Sequence, residues 1–253
     1  MYAKIRKIGI YGYGAFAKLM AEILSEYFEV LVYSRSLKVG EEDEFADYVS
    51  EKELAEKADA LIFSLPVQFL EGALADFAQQ NPPAPQTPII DVSSVKVYPL
   101  QIIKKHFPQN PILGTHPIFG PQSVKKHGLT GSKIVLCNES FDKKLYDSVK
   151  RFLLDSLALQ VLEKTAQEHD KEMAYVQGIT HMIGRALAEL KIPDLDTSTF
   201  SYQHLLDLKE LLKDDSWELF ESIQKYNPYT ESVRADFLST LESLEKKLKD
   251  AKM

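Results

Sequence analysis

Three observations predict a doubly wound, mostly parallel α/β sheet followed by an all-helical region. The glycine turn Gly12-Tyr13-Gly14-Ala15-Phe16-Ala17 joins the apolar run Ile8-Gly9-Ile10-Tyr11 to a helical pattern at Leu19, Met20, Ile23 and Leu24. Short apolar runs then alternate with helical segments as far as residue 162, the pattern of a parallel sheet with crossover helices. From Thr165 onward the strand signals stop. Together these describe a Rossmann-type, dinucleotide-binding domain over 1–162 and a helical domain over 163–253.

Bulk properties narrow the class. The chain has 253 residues, is 45% hydrophobic and carries a formal net charge of −7. That length builds one large domain or two modest ones. The negative charge and the lack of a basic block argue against nucleic acid as a partner. A single cysteine, Cys137, excludes an internal disulfide framework and a cysteine metal cage. No histidine or carboxylate grouping has the usual metal-ligand spacing, so no metal is expected. Lys4-Ile5-Arg6-Lys7 runs into a strand with no signal-like apolar segment. No apolar run is long enough to span a bilayer, so a cytoplasmic protein without a membrane partner is expected.

Residues 4–11 read as the first strand and 15–26 as the first helix. Gly12 permits the tight turn, Gly14 lets backbone approach a pyrophosphate, and Ala17 keeps helix and strand close. The helix start at Ala15 and Phe16 offers unpaired N–H groups and a positive dipole end to phosphate. Val30-Leu31-Val32-Tyr33 is the second strand. NAD sites usually place an acid near its end for the ribose 2′-hydroxyl. Here the strand runs into Ser34-Arg35-Ser36. Two hydroxyls and a guanidinium suit a 2′-phosphate, which makes NADP the expected cofactor.

Residues 40–58 are acidic and read as surface loop and short helix. Ala60-Leu61-Ile62-Phe63-Ser64 is the third strand, and Ser64, Leu65 and Pro66 fall where the chain crosses the cofactor site in this architecture. A helix follows over 68–80, then a proline-rich turn from Asn81 to Pro88. Ile89-Ile90-Asp91-Val92 leads into Ser93-Ser94-Val95-Lys96, and Ile112-Leu113-Gly114 into Thr115-His116-Pro117-Ile118-Phe119-Gly120-Pro121. Ligands of such sheets bind beyond the carboxyl ends of the strands. Both polar clusters lie there, with Ser93 on the cofactor side and Thr115 on the substrate side.

Ile134–Leu136 and Leu159–Leu162 are two further strands around a helix at 141–155. Thr165 and Glu168 have the spacing of a capping box. The helix they begin runs to about Leu190 with Met173, Val176, Ile179, Ile183 and Leu187 on one face. Residues 199–212, 214–225 and 229–248 also read as helices, the last with a stripe of Leu238, Leu241, Leu244 and Leu248. A helical domain this small is expected to pack on its own copy in a homodimer.

His116 is the candidate catalytic base, held in a loop by Gly114, Gly120 and Pro121. Histidine accepts a proton near neutral pH, as oxidation of an alcohol requires. Ser94 is placed to orient His116, to cap the helix at 96–105, or both. In the helical half, Gln177 and His181 are four residues apart on one face and are candidates to line a polar pocket. His169 reads as a solvent-facing residue.

Asp91-Val-Ser-Ser-Val-Lys96, Gly114-Thr-His-Pro-Ile-Phe-Gly-Pro121 and Glu168-His-Asp170 with Gln177 and His181 together resemble the prephenate/arogenate dehydrogenase family of tyrosine biosynthesis. The order and spacing match over nearly the whole chain. The likeness is greatest to the NADP-linked arogenate dehydrogenases of plant type, which also carry Ser-Arg-Ser after the second strand. The resemblance implies a helical dimerisation domain, His116 as the catalytic histidine, Ser94 as the serine bonded to it, and Gln177 and His181 near the substrate. One departure stands out. Many bacterial members have a Tyr-Arg pair whose arginine grips a substrate carboxylate. The matching pair here is Tyr202-Gln203, and an amide does not replace a guanidinium fork. Arg185 and Arg234 are the other cations available. In plant-type enzymes an acid in the next strand is tied to arogenate choice, and Leu136-Cys137-Asn138 has none. Alternatives are an NADP-linked reductase of another small acid or imine and a catalytically silent NADP-binding sensor. The former usually needs a helix lysine, and only Lys171 and Lys191 flank the buried face.

Overall fold

A computed structural model describes residues 5–36 and 43–251. The chain forms two compact units, Met1–His169 and Asp170–Met253.

The first unit is built on one eight-stranded sheet. Its strands are β1 (Lys7–Tyr11), β2 (Glu29–Tyr33), β3 (Asp47–Tyr48), β4 (Ala60–Phe63), β5 (Ile89–Asp91), β6 (Ile112–Pro117), β7 (Lys133–Asn138) and β8 (Gln160–Glu163). They lie in the order β3-β2-β1-β4-β5-β6-β7-β8. All neighbours pair in parallel except β6 and β7. Every residue of β4 is buried, as an uninterrupted apolar run covered on both faces must be. The strand order reverses between β1 and β4, which opens a crevice at their carboxyl ends.

Helices cover both faces. On one, α2 (Glu51–Lys57), α3 (Val67–Gln80) and α4 (Val97–His106) set Leu54, Leu70, Phe77 and Ile103 against Leu61, Phe63 and Ile89. On the other, α1 (Ala15–Ser25) sets Ala17, Met20 and Ala21 against Ile10, Val32 and Ile62. Further along that face, α6 (Lys143–Arg151) brings Leu145 against Leu113, Ile134 and Leu136.

The structure departs from the sequence reading in several places. The acidic stretch adds strand β3 to the expected short helix, which is α2 and starts at a Ser50–Glu53 capping box; residues 40–42 of that stretch lie outside the described residues. The short helix α5 (Pro121–His127) has no buried residue, so no apolar period marked it. The helix expected over 141–155 is α6 followed by a π-helical stretch, Phe152–Ser156. Strand β6 runs on to Pro117 because β7 pairs with it through Pro117↔Ile134. His116 therefore sits in a strand and not in a loop.

The boundary between units falls inside helix α7 (Ala166–Met173), past residue 162. The first turn of α7 belongs with the sheet because Ala166 packs on its core. The Thr165–Glu168 capping box forms: Glu168 N donates to Thr165 Oγ1 at 3.2 Å and Thr165 N to Glu168 Oε2 at 2.9 Å.

The second unit is helical. A π-helical stretch, Ala174–Ile179, links α7 to α8 (Thr180–Glu189), followed by α9 (Phe200–Leu211), α10 (Trp217–Lys225) and α11 (Thr230–Asp250). The wider π turn rotates the faces beyond it, so the expected apolar stripe breaks. Met173 is buried, while Val176 is 55% exposed. Gly178, inside this stretch, abuts Thr230 of α11. The leucines of α11 at 238, 241, 244 and 248 are between 47 and 74% exposed. Among the described residues no helix is long and apolar enough to cross a membrane.

Candidate active site

The glycine turn is shaped for phosphate. Gly12 has φ +97°, and a Cβ there would come within 2.4 Å of the Ser64 carbonyl oxygen. Only glycine fits. Gly14 caps α1 without a side-chain hydrogen bond, and the first turn of α1 holds no acid. A Cβ on Gly14 would meet nothing within 4 Å. The α1 N-terminus thus has no side-chain cap, no first-turn acid and open space beside Gly14, which fits a pyrophosphate.

The neighbouring strand ends complete this crevice. Ser64 N donates to the Tyr11 carbonyl at 2.9 Å, and Leu65 leads to Pro66, which caps α3. At the end of β2, Ser34 Oγ and Ser36 Oγ are 3.2 Å apart and Arg35 is exposed. The carboxylate of Glu51 is held by Tyr11 and Asn81, whose Oη and Nδ2 donate to it at 2.6 and 3.1 Å.

Further along the same sheet edge, β5 and β6 are tied together by Asp91. Its Oδ1 accepts from Ser93 N at 3.1 Å and Ser93 Oγ at 2.5 Å. Its Oδ2 accepts from Lys96 Nζ, and both side chains are fully buried. Lys96 Nζ also donates to the Thr115 carbonyl at 2.6 Å, and Thr115 Oγ1 donates to the Asp91 carbonyl at 2.9 Å. The residue before His116 is thereby clamped from both sides.

His116 is 4% exposed and His169 is fully buried. His116 Nδ1 and His169 Nε2 lie 2.8 Å apart, with the rings edge-on at 72°. His169 therefore does not face solvent. Burial holds His116 well below the ordinary histidine range, and the nearby His169 and Lys96 push it the same way. A neutral imidazole is a proton acceptor. Among the described residues Ser94 makes no hydrogen bond to His116. Ser94 does not cap α4 either, because the helix begins at Val97 with Lys96 at its cap. Phe16 and Phe119 meet at 6.3 Å between ring centroids, which joins the glycine turn to the segment after His116.

The second unit carries the other candidates. Gln177 lies in the π-helical stretch. His181 Nδ1 is 3.3 Å from Asp215 Oδ2. Burial lowers His181 to about 4, with Arg185 adding to the shift, so at neutral pH this contact is not an ion pair. Arg185 Nη2 donates to the Asp215 carbonyl at 3.2 Å, and its guanidinium lies over Trp217 and Phe220 at 5.6 and 5.3 Å. Tyr202 Oη donates to the Pro193 carbonyl at 2.7 Å, and Gln203 Nε2 to Asp207 Oδ1 at 3.0 Å. Among the described residues no group of three or more His, Cys, Asp or Glu is arranged to hold a metal.

Sequence reasoning missed His169, Asp91 and Lys96 as parts of the site. The signal available was the pair of charges flanking Ser93-Ser94 at a strand end, where ion pairs shape a ligand crevice.

A Rossmann-type sheet with a glycine turn shaped for phosphate at the carboxyl edge of its strands defines a nucleotide-binding domain. The chain belongs to the prephenate dehydrogenase family: the family's nucleotide-binding domain matches residues 30–162, more than half of the chain. A TYRAAT1-like C-terminal domain matches residues 186–253. Arogenate dehydrogenase 2, chloroplastic, of Arabidopsis thaliana is 29% identical over 240 residues, covering 88% of this chain and 64% of that protein. Arogenate dehydrogenase 1, chloroplastic, of the same plant is 31% identical over 252 residues, covering 96% and 39%. The chain thus spans less than two thirds of the length of these relatives. Among solved structures, prephenate dehydrogenase from A. aeolicus, in complex with hydroxyphenyl propionate and NAD+, superposes with a TM-score of 0.74 at 18% identity, over 98% of this chain and 92% of that one. Synechocystis arogenate dehydrogenase gives 0.71 at 18% identity, over 96% and 92%. These two share the fold.

The clamp on Thr115 makes a quantitative prediction. Lys96→Met leaves Asp91 charged, buried and unpaired, and should cost about 3–5 kcal/mol in urea unfolding of the full chain. Adding Asp91→Asn should recover part of that loss. A cost for Lys96→Met below about 1 kcal/mol would contradict the clamp.

Proposed function

We propose that the protein is an NADP-dependent dehydrogenase that oxidatively decarboxylates arogenate, prephenate or both. The observation that carries this reading is His116, neutral and buried on the sheet edge that also holds the glycine turn. The names of the plant relatives and the NAD+ bound to the A. aeolicus enzyme support a nicotinamide dinucleotide. Ser34, Arg35 and Ser36 support NADP over NAD, because Arg35 offers a fork to a 2′-phosphate. Glu51, an acid of the neighbouring α2, is already engaged by Tyr11 and Asn81.

The roles follow from the chemistry. His116 takes the proton of the ring hydroxyl as the same carbon gives up its hydride. The cofactor, when bound, supplies the hydride acceptor. The oxidised ring then loses carbon dioxide and becomes aromatic, giving tyrosine from arogenate or 4-hydroxyphenylpyruvate from prephenate. The chain supplies positioning and a proton acceptor. Gly12, Gly14, Ala15, Phe16, Ser64, Leu65, Pro66 and Ser93 are assigned to the cofactor. Ser94, Thr115, Gln177, His181, Tyr202 and Gln203 are assigned to the substrate. The exposed leucine stripe of α11 supports a homodimer, which light scattering reads directly. A reductase using a helix lysine is disfavoured, since Lys171 and Lys191 are both exposed.

Arg185 is the cation assigned to a substrate carboxylate in place of Gln203. Gln203 is tied to Asp207, and Arg234 Nη1 donates to Gln224. Arg185 lies one turn beyond His181 on the same helix. Its one hydrogen bond among the described residues goes to the Asp215 carbonyl, so most of its donor fork remains for a ligand.

Two mutations test the reading. His116→Asn should lower turnover by about 10²–10⁴, with NADP affinity little changed. Near-normal turnover would remove His116 from the chemistry. In the native protein kcat/KM should hold as pH falls through about 6.5, since His116 protonates only at lower pH. Arg185→Met should raise the substrate KM about 10–100-fold and leave the KM for NADP alone. An unchanged substrate KM would reassign the carboxylate to another group.

A further inference from the structure

The imidazole of His169 fills a place for which the proposed chemistry has not yet accounted. It is fully buried, and its Nε2 sits 2.8 Å from His116 Nδ1. A nitrogen–nitrogen hydrogen bond holds one proton between two lone pairs, so one ring donates and the other accepts. Two neutral arrangements exist. If His169 donates, His116 carries its proton on Nε2 and has no lone pair left with which to act as a base. If His116 Nδ1–H donates, Nε2 carries no proton and keeps its lone pair.

We propose that His169 is the positioning residue for His116: it accepts the Nδ1 proton and thereby holds the tautomer in which His116 Nε2 is the base. The proposal rests on the reading of His116 as a proton acceptor. His169 itself is well placed to do this. It lies in the first turn of α7, where its N–H donates to the Thr165 carbonyl at 3.0 Å. The Thr165–Glu168 capping box fixes that turn, and Ala166 anchors it on the sheet core. His116 is fixed from the other side by the Lys96 contact to the Thr115 carbonyl. Both rings thus have rigid backbones, and the 2.8 Å bond between them sets one ring orientation.

A neutral partner acts differently from the carboxylate that holds a histidine in many hydrolases. A carboxylate stabilises the imidazolium in place. A second imidazole can instead receive a proton. When His116 Nε2 gains the substrate proton, the Nδ1 proton can move to His169 Nε2. His116 is then neutral with its proton on Nε2, and His169 carries the positive charge on two N–H groups. No proton is lost or created in this shift. Lys96 at the start of α4 and His169 of α7 both act on the charge of His116.

The experiment compares the full-length protein with His169→Gln and His169→Leu. Glutamine keeps an acceptor near the place of Nε2, and leucine removes it. Nitrogen-15 NMR reads the tautomer of His116, and steady-state kinetics reads kcat and both KM values. The expected result is an Nδ1–H tautomer in the native protein and in His169→Gln. His169→Leu should populate the Nε2–H form, with kcat down about 10²-fold and the KM for NADP unchanged. A residue that only fills space would lower Tm in both variants without moving the tautomer. An unchanged His116 tautomer in folded His169→Leu, or an Nε2–H tautomer in the native protein, overturns the proposal. The NMR readout does not depend on substrate. If the native protein turns over neither arogenate nor prephenate while the leucine variant still switches the tautomer, the functional reading fails and the positioning role stands.

Discussion

The buried contact between Asp91 and Lys96 is the constraint on which the functional edge of the sheet depends. Two opposite charges with no exposure to water are a poor source of stability by themselves, because desolvation offsets much of their attraction. Their effect here is positional. Asp91 turns the segment after β5 through its bonds to Ser93. Lys96 closes on the carbonyl of Thr115 at the end of β6. Thr115 returns a hydroxyl bond to the backbone of Asp91. The two parallel strands are thus locked beside His116 by side-chain bonds as well as by their ladder.

The consequence reaches His116 next in the chain. Its neighbour Thr115 is clamped on both sides, its imidazole is held by His169 at 2.8 Å, and burial strips away the water that would otherwise let it charge. The cation of Lys96 adds to that effect. The same residue therefore shapes the backbone and helps keep His116 neutral. On the opposite half of the sheet the demands are different. The glycine turn needs backbone that side chains would obstruct, at Gly12, and open space, at Gly14. The sheet joins the two because both lie on its carboxyl edge, where strand order reverses between β1 and β4.

Much of this was legible in the sequence. Strand–turn–helix alternation has a strong periodic signal, so β1, α1, β2, β4 and α3 fall close to where the residues predict. The glycine turn and the polar clusters at Ser93-Ser94 and Thr115-His116 were visible for the same reason: turn chemistry and strand ends are local. What was not legible is non-local. The extension of β6 through His116 depends on antiparallel pairing with β7. The burial of His169 depends on where the first turn of α7 lands, which its polar neighbours Glu168 and Asp170 conceal. The π-helical stretch at 174–179 inserts a rotation that a 3.6-residue period cannot anticipate, and so misplaces Val176. The expected Ser94–His116 bond rested on sequence proximity at two strand ends as well as on the family resemblance, and the structure gives Nδ1 of His116 to His169 instead.

The most direct test of the central claim is NADPH formation at 340 nm with purified protein, with arogenate and prephenate compared side by side and each repeated with NAD. The account predicts turnover with at least one substrate and a clear preference for NADP, set by Arg35 and its flanking serines. Tight NADP binding with no turnover of either substrate would contradict it, and would leave a nucleotide-binding protein whose buried histidine serves another reaction or none.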